Sequence, residues 1–271
     1  MTSLILAPFT VMRKKIWLVF VPAIPILFLL AFMVTFQGIN DTASLLNQID
    51  YYLGGDLHLS AADLTTYHNV STNIQLPIIR LGGIAEKTNI TELLSPDPTN
   101  FVMIFIVLFL AFLSYAVIAR GVYSVMSNQK VNALGGINLA SIVLCIAAAV
   151  AILFISSFSL AGFKLLLIIS FGIYFTFSIP YTAAGQPLGE SLFQGFKFIS
   201  AQLGKIVTSY IGGMGAAMMV PIALLIFTTP LLINMEPAVG NMLKIILGLL
   251  SVVIALFYQM ALCAAAVFQE N

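Results

Sequence analysis

Charge is what this chain has least of. Only 8% of its 271 residues are Asp, Glu, Lys or Arg, while 61% are hydrophobic. A soluble domain carries about 25% charged residues, because its surface has to be polar. The shortage argues against a soluble fold and leaves the lipid bilayer as solvent for the apolar surface. A formal net charge of +1 removes the electrostatic case for a nucleic-acid partner. Cysteine is scarce too. Cys145 and Cys263 both fall in apolar runs, which argues against a disulfide framework and for two small thiols in a packed interior. The chain has two histidines, His58 and His68, with Asp56 and Asp63 nearby. Their spacing matches no metal-ligand pattern, and two loop histidines are usually just solvated, so no metal or cofactor is expected. No Gly-x-Ser-x-Gly elbow, phosphate loop or His-Glu-x-x-His helix occurs. The chain therefore reads as non-enzymatic.

What is there is a series of long apolar runs. A spanning helix needs about 20 mostly apolar residues, and six segments qualify: 16–36, 101–119, 137–158, 165–181, 206–232 and 242–268. Five or seven remain open, because the third and fourth runs and the long fifth can be divided differently. The first run follows Arg13, Lys14 and Lys15 and lacks a small-residue cleavage pattern, so it reads as a retained anchor. Arg120 closes the second run. The expected fold is all-α: a polytopic bundle with a lead-in at 1–15, a first span at 16–36, a loop domain at 37–100 and the remaining spans at 101–268.

Basic residues collect on the cytoplasmic side of membrane proteins. With the N-terminus inside, the inner segments hold Arg13, Lys14, Lys15, Arg120, Lys130, Lys197 and Lys205, and the outer ones Arg80, Lys87, Lys164 and Lys244. Seven against four is a moderate bias that favours a cytoplasmic N-terminus and puts the acidic 37–100 loop outside the plasma membrane; an even span count then puts the C-terminus in the cytoplasm too. That loop also carries glycosylation acceptor patterns at Asn40, Asn69 and Asn89. Each is weak alone, and plain loop asparagines explain them equally well. A loop this long needs structure of its own. Leu45, Leu46, Ile49 and Leu53 have helical spacing, which suggests a small cap of short helices.

No Asp, Glu, His, Lys or Arg lies near the centre of any run, which argues against a charge-coupled pump. The interior polar groups are hydroxyls and amides. Most are expected to hold helices together. Asn138, Tyr174, Tyr210 and Gln259 are the candidates for a polar path if the chain is a permease for a neutral or lipid-like solute. Small residues four apart, as at Ala147/Ala151 and Ala261/Ala265, mark close helix packing.

The segment 188–203 differs from the spans. Leu188, Leu192, Phe196, Ile199 and Leu203 form an apolar stripe, and Glu190, Gln194 and Lys197 a polar one. This is the pattern of an amphipathic helix lying along the inner membrane face. The N-terminal lead-in is similar. Leu6-Ala-Pro-Phe-Thr-Val-Met12 and Phe193-Gln-Gly-Phe-Lys-Phe-Ile199 place aliphatic and aromatic residues at matching intervals before a long span. A degenerate internal repeat would be transporter-like, but the match is too thin to carry that reading.

On the lead-in Ala7-Pro-Phe-Thr-Val-Met-Arg-Lys-Lys15, and on Ile179-Pro-Tyr181 followed by Leu188-Gly-Glu-Ser-Leu-Phe-Gln-Gly-Phe-Lys-Phe198, the chain resembles the prokaryotic, especially archaeal, six-helix membrane proteins. That group includes the membrane domain attached to some glycerophosphodiester phosphodiesterases. The resemblance covers about a third of the chain and implies the six-helix layout. The long acidic outer loop departs from the pattern. The chain has no attached soluble catalytic domain, so phosphodiesterase activity does not carry over. The expected function is a scaffold, or a subunit of a membrane transport or envelope assembly, with the bilayer and further membrane subunits or a second copy as partners. The alternative is the channel or permease.

Overall fold

The computed structural model describes residues 4–32, 98–156, 161–232 and 237–269. Among these the regular structure is all helical. A 3₁₀ turn at Leu4–Leu6 leads into α1 (Ala7–Lys14). A second 3₁₀ segment, Ile16–Phe20, leads into α2 (Ala23–Phe32). Then follow α3 (Pro98–Met126), a 3₁₀ turn at Ala133–Gly136, α4 (Leu139–Ser156), α5 (Ala161–Ala183), α6 (Leu188–Ala201), α7 (Leu203–Leu232) and α8 (Pro237–Phe268).

Four of these are long and apolar enough to cross a membrane: Phe101–Met126, Leu139–Ser156, Phe163–Ala183 and Ile246–Phe268. The pair Leu4–Lys14 and Ile16–Phe32, bent by 106°, makes a fifth if counted as one span. A multi-pass membrane protein follows from these lengths. The expected cap, its histidines and the three glycosylation patterns lie outside the described residues.

The described residues fall into two compact units. One contains 4–26, 101–156, 161–218 and 253–269; the other contains 27–32, 98–100, 219–232 and 237–252. The first holds the core considered below. Its centre is made by the second halves of α3 and α8, where Ala116, Ile118, Ala119 and Val122 meet no solvent, and neither do Ala261, Ala264, Ala265 and Val267. Small side chains let helix backbones approach closely in lipid. The Ala261/Ala265 pair behaves as its spacing suggests. Ala147 does not: it is exposed, and α4 packs instead through Ser141, Cys145 and Ala148.

Three boundaries differ from the sequence reading. Arg120 does not close the second run, because α3 continues through it to Met126. The α3 helix begins at Pro98, where a missing N–H costs nothing in the first turn. The amphipathic segment ends at Ala201, and Gln202 forms a break before α7. The stripe on α6 is also rotated. Its buried residues are Ser191, Gly195 and Phe198, while Phe196 is 63% exposed and Phe193 66%. The helix thus has three sides: a small-residue side against the bundle, an aromatic side, and a polar side with Glu190 and Lys197.

The repeat between the two lead-ins extends to the backbone. Lys15 (φ −143°, ψ 63°) breaks α1, and Gln202 (φ −125°, ψ 39°) breaks α6. The Lys15 N–H reaches Val11 O at 2.8 Å, and the Gln202 N–H reaches Phe198 O at 2.8 Å. One turn on, Leu18 N–H bonds Lys15 O and Lys205 N–H bonds Gln202 O, both at 3.0 Å. Buried Val11 and Phe198 correspond, as do exposed Phe9 and Phe196, and exposed Ile16 and Leu203.

Candidate functional site

Between Leu4–Lys14 and Ile16–Phe32 the chain turns through 106° and carries Lys14 and Lys15 at the elbow. The loop after α3 comes to meet it. That loop is shaped by Ser124, whose Oγ donates to Gln129 O at 2.7 Å. Asn128 takes the left-handed conformation (φ 52°), which asparagine tolerates better than most residues. Asn132 then accepts from Leu134 N–H at 3.1 Å and starts the next turn.

Lys15 joins the two parts. Its ammonium donates to Ser124 Oγ at 2.9 Å and to Val131 O at 3.1 Å. An ammonium has three N–H donors, so one remains. Between elbow and loop lies an open hollow of about 440 Å³, lined by Lys14, Lys15, Lys130, Ser124, Val125, Val131 and the amides Asn128, Gln129 and Asn132. Among the described residues, no carboxylate contributes to this lining. The hollow offers positive charge and amide donors to an oxyanion.

Burial pushes the Lys15 pKa below its ordinary 10.5. Its charge therefore costs the folded state stability at neutral pH. The cost falls as pH rises from the lowered pKa to 10.5, because there the unfolded chain binds the extra proton, and it is gone above 10.5. Unfolding in detergent across that window is expected to show stability rising with pH. Lys15→Gln should remove the rise.

A second polar cluster lies among the spans, and a proline explains it. Pro180 sits inside α5 and has no N–H, so the carbonyl four residues earlier, Thr176 O, lacks its helical partner. In lipid such a group has to be satisfied by protein. Tyr115 supplies the donor, its hydroxyl bonding Thr176 O at 2.8 Å. Tyr210 donates to Thr176 Oγ1 at 3.2 Å, which itself donates to Gly172 O at 2.7 Å. Tyr115→Phe is expected to cost about 1–2 kcal/mol. In a Pro180→Ala background the restored N–H takes the carbonyl, and the cost should fall well below that. A double-mutant cycle on thermal unfolding checks it.

The α5 C-terminus is closed by a Schellman arrangement. Gln186 N–H bonds Tyr181 O at 3.1 Å, Gly185 N–H bonds Thr182 O at 2.9 Å, and Gly185 has φ +101°. Two side chains add to it. Arg120 donates to Ala183 O at 3.0 Å, and Asn138 donates to Thr182 O at 2.7 Å. Arg120 thus places a cation at the negative end of the α5 dipole, which accounts for a charge within α3.

The four polar-path candidates have these places. Asn138 caps α4, accepting from Ser141 N–H at 2.8 Å, besides its bond to α5. Tyr174 donates to Leu192 O at 3.3 Å, joining α5 to α6. Tyr210 belongs to the Thr176 cluster. Gln259 donates to Cys263 Sγ at 3.5 Å, and its buried Oε1 has no partner among the described residues. Gln259 also faces Gly213 on α7, where a Cβ would run into its amide. The structure brings Tyr210 and Gln259 to the same pair of helices and puts Asn138 and Tyr174 elsewhere. In the sequence Lys14, Lys15 and Lys130 stand out only as charges that orient the chain, and neither Ser124 nor the 127–132 loop stands out at all. Their meeting is a long-range contact with no local signal. The Thr176 cluster did have one, a proline four residues after a carbonyl inside an apolar run.

Among the described residues, no group of three His, Cys, Asp or Glu side chains gathers to hold a metal. No family model matches the chain, and neither a curated protein nor a solved structure does.

Proposed function

We propose that this chain is a multi-pass scaffold, or a subunit of a membrane transport or envelope assembly, without catalytic chemistry of its own. The observation that carries the reading is how the polar groups within the helices are used. Tyr115 and Tyr210 converge on Thr176, Tyr174 bonds Leu192, and Asn138 bonds Thr182. Each joins one helix to another, as interhelical contacts do in membrane bundles. With α7 counted as a span beside the elbow pair, the reading has six spans and both termini in the cytoplasm. It places the acidic 37–100 loop outside the plasma membrane, where Asn40, Asn69 and Asn89 are the acceptors a glycosylating host would use. The likeness of the lead-ins to the six-helix prokaryotic membrane proteins suits the same layout. Partners in this reading are the bilayer and further membrane subunits or a second copy.

The test is extraction of the full chain from its native membrane into nanodiscs, followed by mass measurement. A defined particle holding more than one protein chain is expected. A lone chain that moves a neutral solute across liposomes would replace this reading with the permease, for which Asn138, Tyr174, Tyr210 and Gln259 are the residues to vary.

A further inference from the structure

The two helix breaks make a built-in comparison. Lys15 and Gln202 take similar backbone conformations and make the same backbone bonds, at 2.8 Å and 3.0 Å. The second break does this with Ala201 and Gln202 where the first has Lys14 and Lys15. The lysines are therefore not needed to interrupt the helix there. Placing basic residues beside a span to orient it requires only charge near the membrane. It does not require an ammonium drawn into the protein and held by Ser124 and Val131 at 2.9 and 3.1 Å. That arrangement fixes a charge at one point, as a binding site does.

The level of the hollow in the membrane indicates what it meets. The elbow joins Leu4–Lys14 to Ile16–Phe32 at 106°. Just beyond it, Ile16 is 68% exposed, Trp17 44% and Phe20 56%. Tryptophan prefers the headgroup level, where an apolar body and a polar N–H are both satisfied. The hollow thus combines ammonium and amide donors with an apolar rim one turn away.

We propose that the hollow at the first elbow binds a phosphate-bearing anion of the kind carried by an anionic phospholipid headgroup. Lys15 and Lys130 engage the phosphate. The volume of about 440 Å³ suits a phosphate with its alcohol rather than a small ion. Exposed Ile16, Trp17 and Phe20 meet the acyl chains. The site goes beyond the scaffold reading and needs only a membrane surface at the elbow, on either side of the bilayer.

Trp17 is the only tryptophan in the chain, and it reports on the site directly. The full chain is placed in nanodiscs containing phosphatidylcholine and phosphatidylglycerol, with brominated acyl chains on one or the other at equal mole fraction. Brominated phosphatidylglycerol is expected to quench Trp17 with a relative affinity at least about fivefold above brominated phosphatidylcholine. That preference is expected to vanish in the Lys15→Gln/Lys130→Gln variant. If instead soluble glycerol phosphate shifts the Trp17 emission of the wild type and not of the variant, with no preference between the lipids, the site stands with a free phosphate ester as its source. Equal quenching by both lipids with no response to glycerol phosphate overturns the proposal, and this arm needs no variant. A preference for either anion that survives the two substitutions in a variant with unchanged melting temperature also overturns it.

Discussion

Gly136→Ala is expected to destabilise the protein by about 3 kcal/mol, although it adds a single methyl group. Gly136 ends the 3₁₀ turn before α4 and lies directly against α3. A Cβ there would stand 2.5 Å from Ala116 O, 2.9 Å from Ala116 C and 3.0 Å from Arg120 Cβ. The first two are backbone atoms of a buried helix and have no rotamer to move into. The turn would have to lift off α3 instead. That shift would draw Asn138 away from Thr182 O and disturb the Arg120 bond to Ala183 O, now 2.7 Å and 3.0 Å. The substitution therefore acts on packing and on the α5 cap together. Thermal unfolding in detergent measures it, with Gly189→Ala as control, since a Cβ there meets nothing within 4 Å. Equal melting temperatures for the two variants would contradict the close approach.

Gly195→Val is the second substitution with a large expected effect, again about 3 kcal/mol. Gly195 is buried on α6, and a Cβ would stand 3.0 Å from both Cα and Cβ of Ser178 on α5 and would run into the Ser178 hydroxyl. Ser178 is fully buried and its hydroxyl donates to Tyr174 O at 2.8 Å, so it has little room to turn. The α6 helix would move outward. With it would go the Phe198 ring stacked on Phe177, at 5.0 Å between centroids, and the Tyr174 bond to Leu192. A cysteine placed at Phe193, already 66% exposed, should show no change in labelling rate. One placed at Ser191, buried in the native protein, should label faster in the Gly195→Val background. Loss of stability without faster labelling at Ser191 would mean that α6 had stayed in place.

Both effects depend on features that hydropathy does not record. An apolar run of about 20 residues suffices to place a spanning helix, because no other segment satisfies its backbone in lipid. The runs at 101–119, 137–158, 165–181 and 242–268 accordingly correspond to α3, α4, α5 and α8. Their ends are less well placed. Arg120 looked like a terminus, since a guanidinium in lipid is costly. It lies inside α3 because the α5 C-terminus, distant in sequence, offers it Ala183 O.

The same distinction governs the interfacial helices. Spacing alone showed that 4–15 and 188–203 differ from the spans, because an amphipathic helix has a period that a uniformly apolar one lacks. Which side of α6 packs was not legible. In water the apolar side is the buried side. For a protein in a bilayer, lipid and protein both cover apolar residues, and here Phe193 and Phe196 face outward while Ser191 and Gly195 are buried. Ala147 was misplaced for the same reason.

By itself, then, the sequence determined that this chain has the apolar runs of a multi-pass membrane protein, that it is helical, and that two amphipathic segments stand apart from those runs. Each follows from the hydrophobicity of a continuous segment, which is a local quantity. Only the tertiary structure decided that the lysines at the first elbow meet Ser124 and the 127–132 loop across more than a hundred residues. It also decided that Tyr115 serves the carbonyl freed by Pro180, and that Gly136 and Gly195 sit where no methyl fits. Those are contacts between segments, and the bilayer, indifferent to which apolar surface it covers, gives the sequence no pattern by which to announce them.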